Sequence, residues 1–141
     1  MIARFTRIAA LATLALFSAS PAVEAGGKPI PIIEQVDVPL NWLGGQPGNI
    51  DKVQRAVFAG LAAKGWIGSL VEPGHAHGVL TRPDWRCEID VYFDTAKYSI
   101  RYASSEHLDY DATRHVIHRN FNRWLVLLRE QINIAMSNPA L

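Results

Sequence analysis

The chain has a single cysteine, Cys87, among its 141 residues, so it forms no internal disulfide and carries no paired-cysteine metal motif. It also lacks a glycine-rich phosphate loop and a dinucleotide fingerprint, which removes the common nucleotide-dependent chemistries at the level of motifs. Neither charge dominates. Fourteen Lys and Arg face 13 Asp and Glu, whereas nucleic acid or an acidic membrane surface calls for a sustained positive field. The main apolar stretch, Ile8 to Phe17, is about half of the ~20 residues that a helical span requires, so no stable membrane anchor is expected. No repeat, low-complexity tract or linker divides the remainder, whose length suits one domain.

What is present begins with a leader. Arg4 and Arg7 precede the apolar stretch, and Val23-Glu24-Ala25 follows it with small residues at −3 and −1. This is the pattern of a Sec-type signal peptide over residues 1–25, and it predicts a periplasmic or secreted protein cleaved after Ala25. Losing Arg4, Arg7 and Glu24 leaves 12 basic and 12 acidic residues, so the mature chain has no net charge.

Residues 26–48 hold Pro29, Pro31, Pro39, Gly44, Gly45, Pro47 and Gly48, which disfavour helix and predict an ordered arm over the body, or at most one edge strand. Residues 49–141 read as a single domain. Asn49 suits an N-cap, Asp51 the first turn and Gly65 the position after the helix end. Between them Ile50, Val53, Val57 and Leu61 form one stripe, predicting a first helix over about 50–64. Four strands follow over 66–72, 75–81, 86–94 and 97–103, separated at Pro73-Gly74, Pro83-Asp84 and Thr95-Ala96. In the third, Cys87, Ile89, Val91 and Phe93 alternate with Arg86, Glu88, Asp90 and Tyr92. The register that matches charges outside and apolar groups inside sets Asp90 against both His77 and Arg101, and His75 against Tyr92. A second helix is expected over about 113–136, where Ile117, Phe121, Trp124, Leu128, Ile132 and Ala135 step by three or four. The expected fold is α+β: a four-stranded antiparallel meander with two helices packed on one face, in the order α-β-β-β-β-α.

Two surfaces attract chemistry. The first half of the second helix carries Arg114, His115, His118, Arg119, Asn122 and Arg123 off its apolar stripe. Guanidinium forks and an amide there suit anions or sugar hydroxyls, while the plainer reading is a solvated face paired with nearby acids. The open sheet face gathers His75, His77, Asp90 and Arg101 beside Glu72 and Tyr92. A His next to a carboxylate serves acid–base chemistry, yet it is also what a solvated sheet face looks like. His75 with His77, or His115 with His118, gives two ligands, fewer than a stable metal site needs, so no metal and no cofactor is assigned. Ser104, Ser105, His107 and Asp109 crowd one loop and are read as turn and capping groups, which leaves no catalytic residue assigned. Cys87 falls on the inner face of the best strand and is read as a small core hydrophobe.

Ala63-Lys64-Gly65-Trp66, Ile89-Asp90-Val91-Tyr92, Tyr98-Ser99-Ile100-Arg101-Tyr102, Ser105 and Leu108-Asp109-Tyr110 lead to the segment Ile117-His118-Arg119-Asn120-Phe121-Asn122-Arg123-Trp124. Together, over about residues 48–135, they resemble a family of small exported bacterial proteins, many of which look like lipoproteins. The present chain departs from it in having no cysteine at the cut. The resemblance implies export and an α+β fold, and brings no catalytic assignment. His118 and Asn122, one turn apart, are expected to lock the helix onto the loop Ser104–Tyr110, with Ser105, Tyr110, His118, Arg119, Asn122 and Arg123 as candidate ligand contacts. The leading expectation is a non-catalytic binding or interaction module for an envelope protein or glycan. The alternative is an envelope metal-binding protein or hydrolase using His75, His77, Asp90 and Arg101.

Overall fold

The computed structural model describes residues 27–141, so the expected signal peptide lies outside the described residues. In chain order the elements are β1 (Ile30–Pro31), β2 (Gln35–Pro39), α1 (Ile50–Ala63), β3 (Ile67–Glu72), β4 (His75–Arg82), β5 (Trp85–Phe93), β6 (Lys97–Glu106), β7 (Val116–Ile117) and α2 (Asn120–Met136). No helix of the described residues is long and apolar enough to cross a membrane.

The Asn49 side chain accepts the Lys52 N–H at 3.1 Å and starts α1. At the other end, Gly65 takes φ of 77°. There the Trp66 and Gly65 amides donate to the Leu61 and Ala62 carbonyls at 2.9 and 3.0 Å, a Schellman closure. The meander then runs as expected through β3, β4, β5 and β6. Gly74 sits at φ 81° in the β3–β4 turn, the left-handed position that only glycine adopts freely. Asp94 Oδ1 accepts the Ala96 and Lys97 amides and shapes the β5–β6 turn. The expected register holds residue by residue: His75 faces Tyr92, His77 faces Asp90, and Asp90 faces Arg101.

The sheet has five strands, in the order β2-β6-β5-β4-β3, not the four expected. The arm supplies the fifth. β2 pairs antiparallel with β6 through Gln35–Ile100, Val38–Tyr98 and Pro39–Lys97. A proline terminates this strand, as an edge allows. The Trp42 indole N–H then donates to the Thr95 carbonyl at 2.7 Å, tying the arm's outgoing end to the β5–β6 turn.

The second helix begins seven residues later than expected. Asp111 accepts the Arg114 amide and binds its guanidinium, closing a turn. His115 adopts φ of 53°. Two β-branched residues follow, and Val116 and Ile117 form β7 against β1. The helix starts only after the His118 carbonyl accepts the Phe121 amide. Both helices lie over the inner face of the sheet. Val53, Val57 and Leu61 of α1 and Phe121, Leu125, Leu128 and Ile132 of α2 are fully buried with Ile89, Val91, Tyr98 and Ile100. The helices approach closely at Gly60, where an added Cβ would lie 2.6 Å from Ile132 Cγ1 and 2.9 Å from its backbone nitrogen.

Candidate functional site

On the outer face, β4 and β5 bring His75, His77 and Asp90 together. Asp90 Oδ1 lies 2.8 Å from His75 Nε2 and 2.9 Å from His77 Nδ1, and Glu88 Oε2 lies 2.8 Å from His77 Nε2. Arg86 pairs with the other oxygen of Glu88 at 2.6 Å. His75 also stacks on Tyr92 with ring centroids 4.4 Å apart. The hydrogen bond from Asp90 holds His77 above the usual histidine pKa against the opposing pull of burial, with Glu88 adding to the rise. Burial pushes the Asp90 carboxyl up, and the hydrogen bonds from His77 and His75 bring it below the usual range. Arg101 does not join this group. Its guanidinium turns to Glu34 Oε2 at 2.8 Å, a partner from the arm that the meander alone did not suggest. Among the described residues no three His, Cys, Asp or Glu are arranged to hold a metal.

The expected helix–loop set divides into separate roles. Asn122 is buried, but it faces the arm and not the loop Ser104–Tyr110. Its Oδ1 accepts the Ile33 amide and its Nδ2 donates to the Pro31 carbonyl, both at 2.9 Å. The reason is topological: β1 pairs with β7 immediately before α2 and so occupies the side that Asn122 presents. The helix–loop contact is made by backbone, the His118 amide donating to the Leu108 carbonyl at 2.8 Å. His118 and His115 precede the helix and share no helical face. Ser105 Oγ and Tyr102 Oη hydrogen-bond at 2.9 Å, and Tyr110 stacks on Tyr102 at 4.4 Å. The Arg119 guanidinium lies against Gly27, and Arg123 is exposed. Cys87 is fully buried, and desolvation pushes its thiol up to about 12.

A different group forms the best concave surface. Trp85, the first residue of β5, stacks on Trp124 of α2 with centroids 4.3 Å apart and planes inclined by 14°. On one side of this pair a cavity of about 350 Å³ is walled by His107, Leu108, Asp109, His118 and Asn120. On the other side, a smaller cavity of about 130 Å³ is walled by Lys64, Trp66, Leu80, Arg82 and Leu127. Three of the four tryptophans therefore meet at one end of the fold. The Arg82 guanidinium sits 6.0 Å above the Trp85 ring, at the outer limit of a cation–π contact. His107 and Asp109 both take positive φ, 56° and 54°.

Of the candidate ligand contacts named from the sequence, only His118 lines this groove, and His107 and Asp109, read there as turn and capping groups, line it as well. The expected strands 75–81 and 86–94 leave Trp85 in the turn between them, although a tryptophan between two arginines in Arg82-Pro83-Asp84-Trp85-Arg86 is a large apolar group at a position that normally carries none. Trp124, on the apolar stripe of the second helix, is only half-buried and packs against the edge of the core. Comparison with protein-family models, curated proteins and solved structures finds no match to this chain.

Proposed function

We propose that this chain is an exported, non-catalytic binding module that holds an acidic envelope glycan across the Trp85–Trp124 end of the fold. The leader pattern over residues 1–25 and the resemblance to small exported proteins support the export. The carrying observation for binding is the paired cavities on either side of the Trp85–Trp124 stack. Flat aromatic faces suit the apolar face of a pyranose ring, and a few convergent polar groups set its orientation. The two cavities differ in chemistry. Lys64 and Arg82 in the smaller one suit a carboxylate, whereas Asp109, Asn120 and the two histidines in the larger one suit hydroxyls.

The metal or hydrolytic alternative at His75, His77, Asp90 and Arg101 draws less support. Three of the four ring nitrogens of His75 and His77 already bond to Asp90 and Glu88, and Arg101 is engaged by Glu34.

Titrating acidic and neutral cell-wall oligosaccharides against intrinsic tryptophan fluorescence tests the proposal. The acidic series is expected to bind, Trp85→Ala to weaken it at least tenfold (about 1.4 kcal/mol), and Arg82→Ala to weaken acidic ligands selectively. His75→Ala is expected to leave binding unchanged. Absence of binding at millimolar ligand, or equal binding by a folded Trp85→Ala protein, sinks it.

A further inference from the structure

The two edges of the sheet are built differently. At one edge, β2 ends in Pro39, is interrupted by an irregularity between Gln35 and Val38, and places Asp37 at φ 52° with its carboxylate on Lys97. Prolines, bulges and edge charges are the devices by which sheets discourage further pairing. The other edge, β3, reads Ile67-Gly68-Ser69-Leu70-Val71-Glu72. It holds no proline or lysine, and its one charge is at its end. Its register shift falls at that same end, between Leu70 and Glu72. Ile67, Leu70 and Val71 are 76%, 46% and 56% exposed. Among the described residues, β4 is the only strand paired with it.

We propose that β3 pairs antiparallel with the β3 of a second copy, about a twofold axis at Ser69, to form a continuous ten-stranded sheet. The strand is self-complementary in that register. Ile67 and Ser69 share the outer face, since they face Val79 and His77 of β4. Val71 falls beside them at the β3–β4 irregularity. Centring on Ser69 sets each Ile67 against Val71 of the other copy and Ser69 against itself, so the two most exposed apolar side chains of the strand meet as cross-strand pairs. On the inner face Leu70 of one copy meets Gly68 of the other. Beneath Gly68 lie Leu61 and Phe58 of α1, close enough that an added Cβ would be 2.9 and 3.1 Å from them. The incoming leucine thus extends the existing core. Glu72 lies past the irregularity and faces His75 of β4, so no like charges meet within the paired segment from Ile67 to Val71. A centre at Gly68 pairs Ile67 with Ser69, and one at Leu70 pairs Val71 with Ser69; both break the apolar match.

Sedimentation of the purified protein tests it, with a dimer expected at about 100 µM, where mass action favours association. Ile67→Lys or Val71→Glu alone is expected to raise the dimer dissociation constant at least tenfold. The double variant, which sets the new opposite charges face to face, is expected to recover most of that loss. Mild oxidation of Ser69→Cys is expected to give one disulfide-linked dimer. Cα atoms across an antiparallel pair lie about 4.5–5.5 Å apart, within disulfide reach, and Cys87 is too buried to compete. A monomer at that concentration, whether bare or with its own residues 1–26 on β3, overturns the proposal. So does a dimer that survives both single variants, or one that Ser69→Cys fails to link.

Discussion

Asn122→Ala separates a structural lock from a ligand contact. The Asn122 side chain is buried and joins α2 to the arm through one accepted and one donated hydrogen bond, to the Ile33 amide and the Pro31 carbonyl. Alanine keeps the helix, since its propensity there exceeds that of asparagine by about half a kcal/mol. What it removes is both partners of two backbone groups in a part-buried seam. Leaving a buried donor or acceptor unsatisfied costs about 1–3 kcal/mol each. With water reaching part of the seam and the propensity gain set against it, a net loss of about 2–3 kcal/mol is expected. Urea unfolding at constant slope measures this, and amide exchange at Ile33 is expected to accelerate with it. Asn122→Asp is expected to cost more, because a carboxylate keeps the bond from Ile33 but sets an acceptor against the Pro31 carbonyl. Arg123→Ala, one residue on and exposed, is the control and is expected to change stability by less than about 0.5 kcal/mol. A loss under about 0.5 kcal/mol for Asn122→Ala would mean that the arm is held by its strand pairing alone.

Gly60→Ala is expected to destabilise by about 1–3 kcal/mol despite the better helix propensity of alanine, because the new methyl meets the backbone of Ile132, which cannot swing aside. Ile132→Ala in the same background is not expected to rescue it, since the backbone contact remains; full recovery in the denaturation midpoint would show that only the side chain was in the way. His77 and Asp90 on the outer face predict a stability maximum in mildly acidic solution. His77 has a raised folded pKa, so its contribution is complete below its unfolded value of 6.5 and fades as pH rises through the folded value. Asp90 has a lowered folded pKa, so its contribution is present above its unfolded value of 3.8 and fades as pH falls through the folded one. Melting temperature against pH is expected to fall on both sides, with His77→Gln flattening the neutral limb and Asp90→Asn the acid limb. A wild-type profile unchanged by His77→Gln between about pH 6 and 8 contradicts the assignment.

Local rules reached far into this fold. The Asn49 cap, the Gly65 closure and the Pro73-Gly74 turn depend on residues within a few positions of each other, and each forms as its sequence requires. The β4–β5–β6 register was equally legible, because a slip of one residue would have turned Cys87, Ile89 and Val91 to water. Cys87 lies in the core for the same reason. The stripe from Ile117 has helical spacing throughout, yet β1 offers Ile117 and Val116 a strand partner that periodicity cannot register.

Alternation, turn chemistry and neighbouring strands suffice for the α+β class, the meander, its register and the outer-face meeting of His75, His77 and Asp90. Long-range packing sets which strand closes the edge, where Asn122 and Arg101 turn, and that Trp66, Trp85 and Trp124 share one end. Each of those contacts joins residues far apart in the chain, such as Pro31 with Asn122, Glu34 with Arg101 and Trp85 with Trp124. Their partners are chosen by packing and by the need to satisfy buried backbone groups, and no local pattern records that choice.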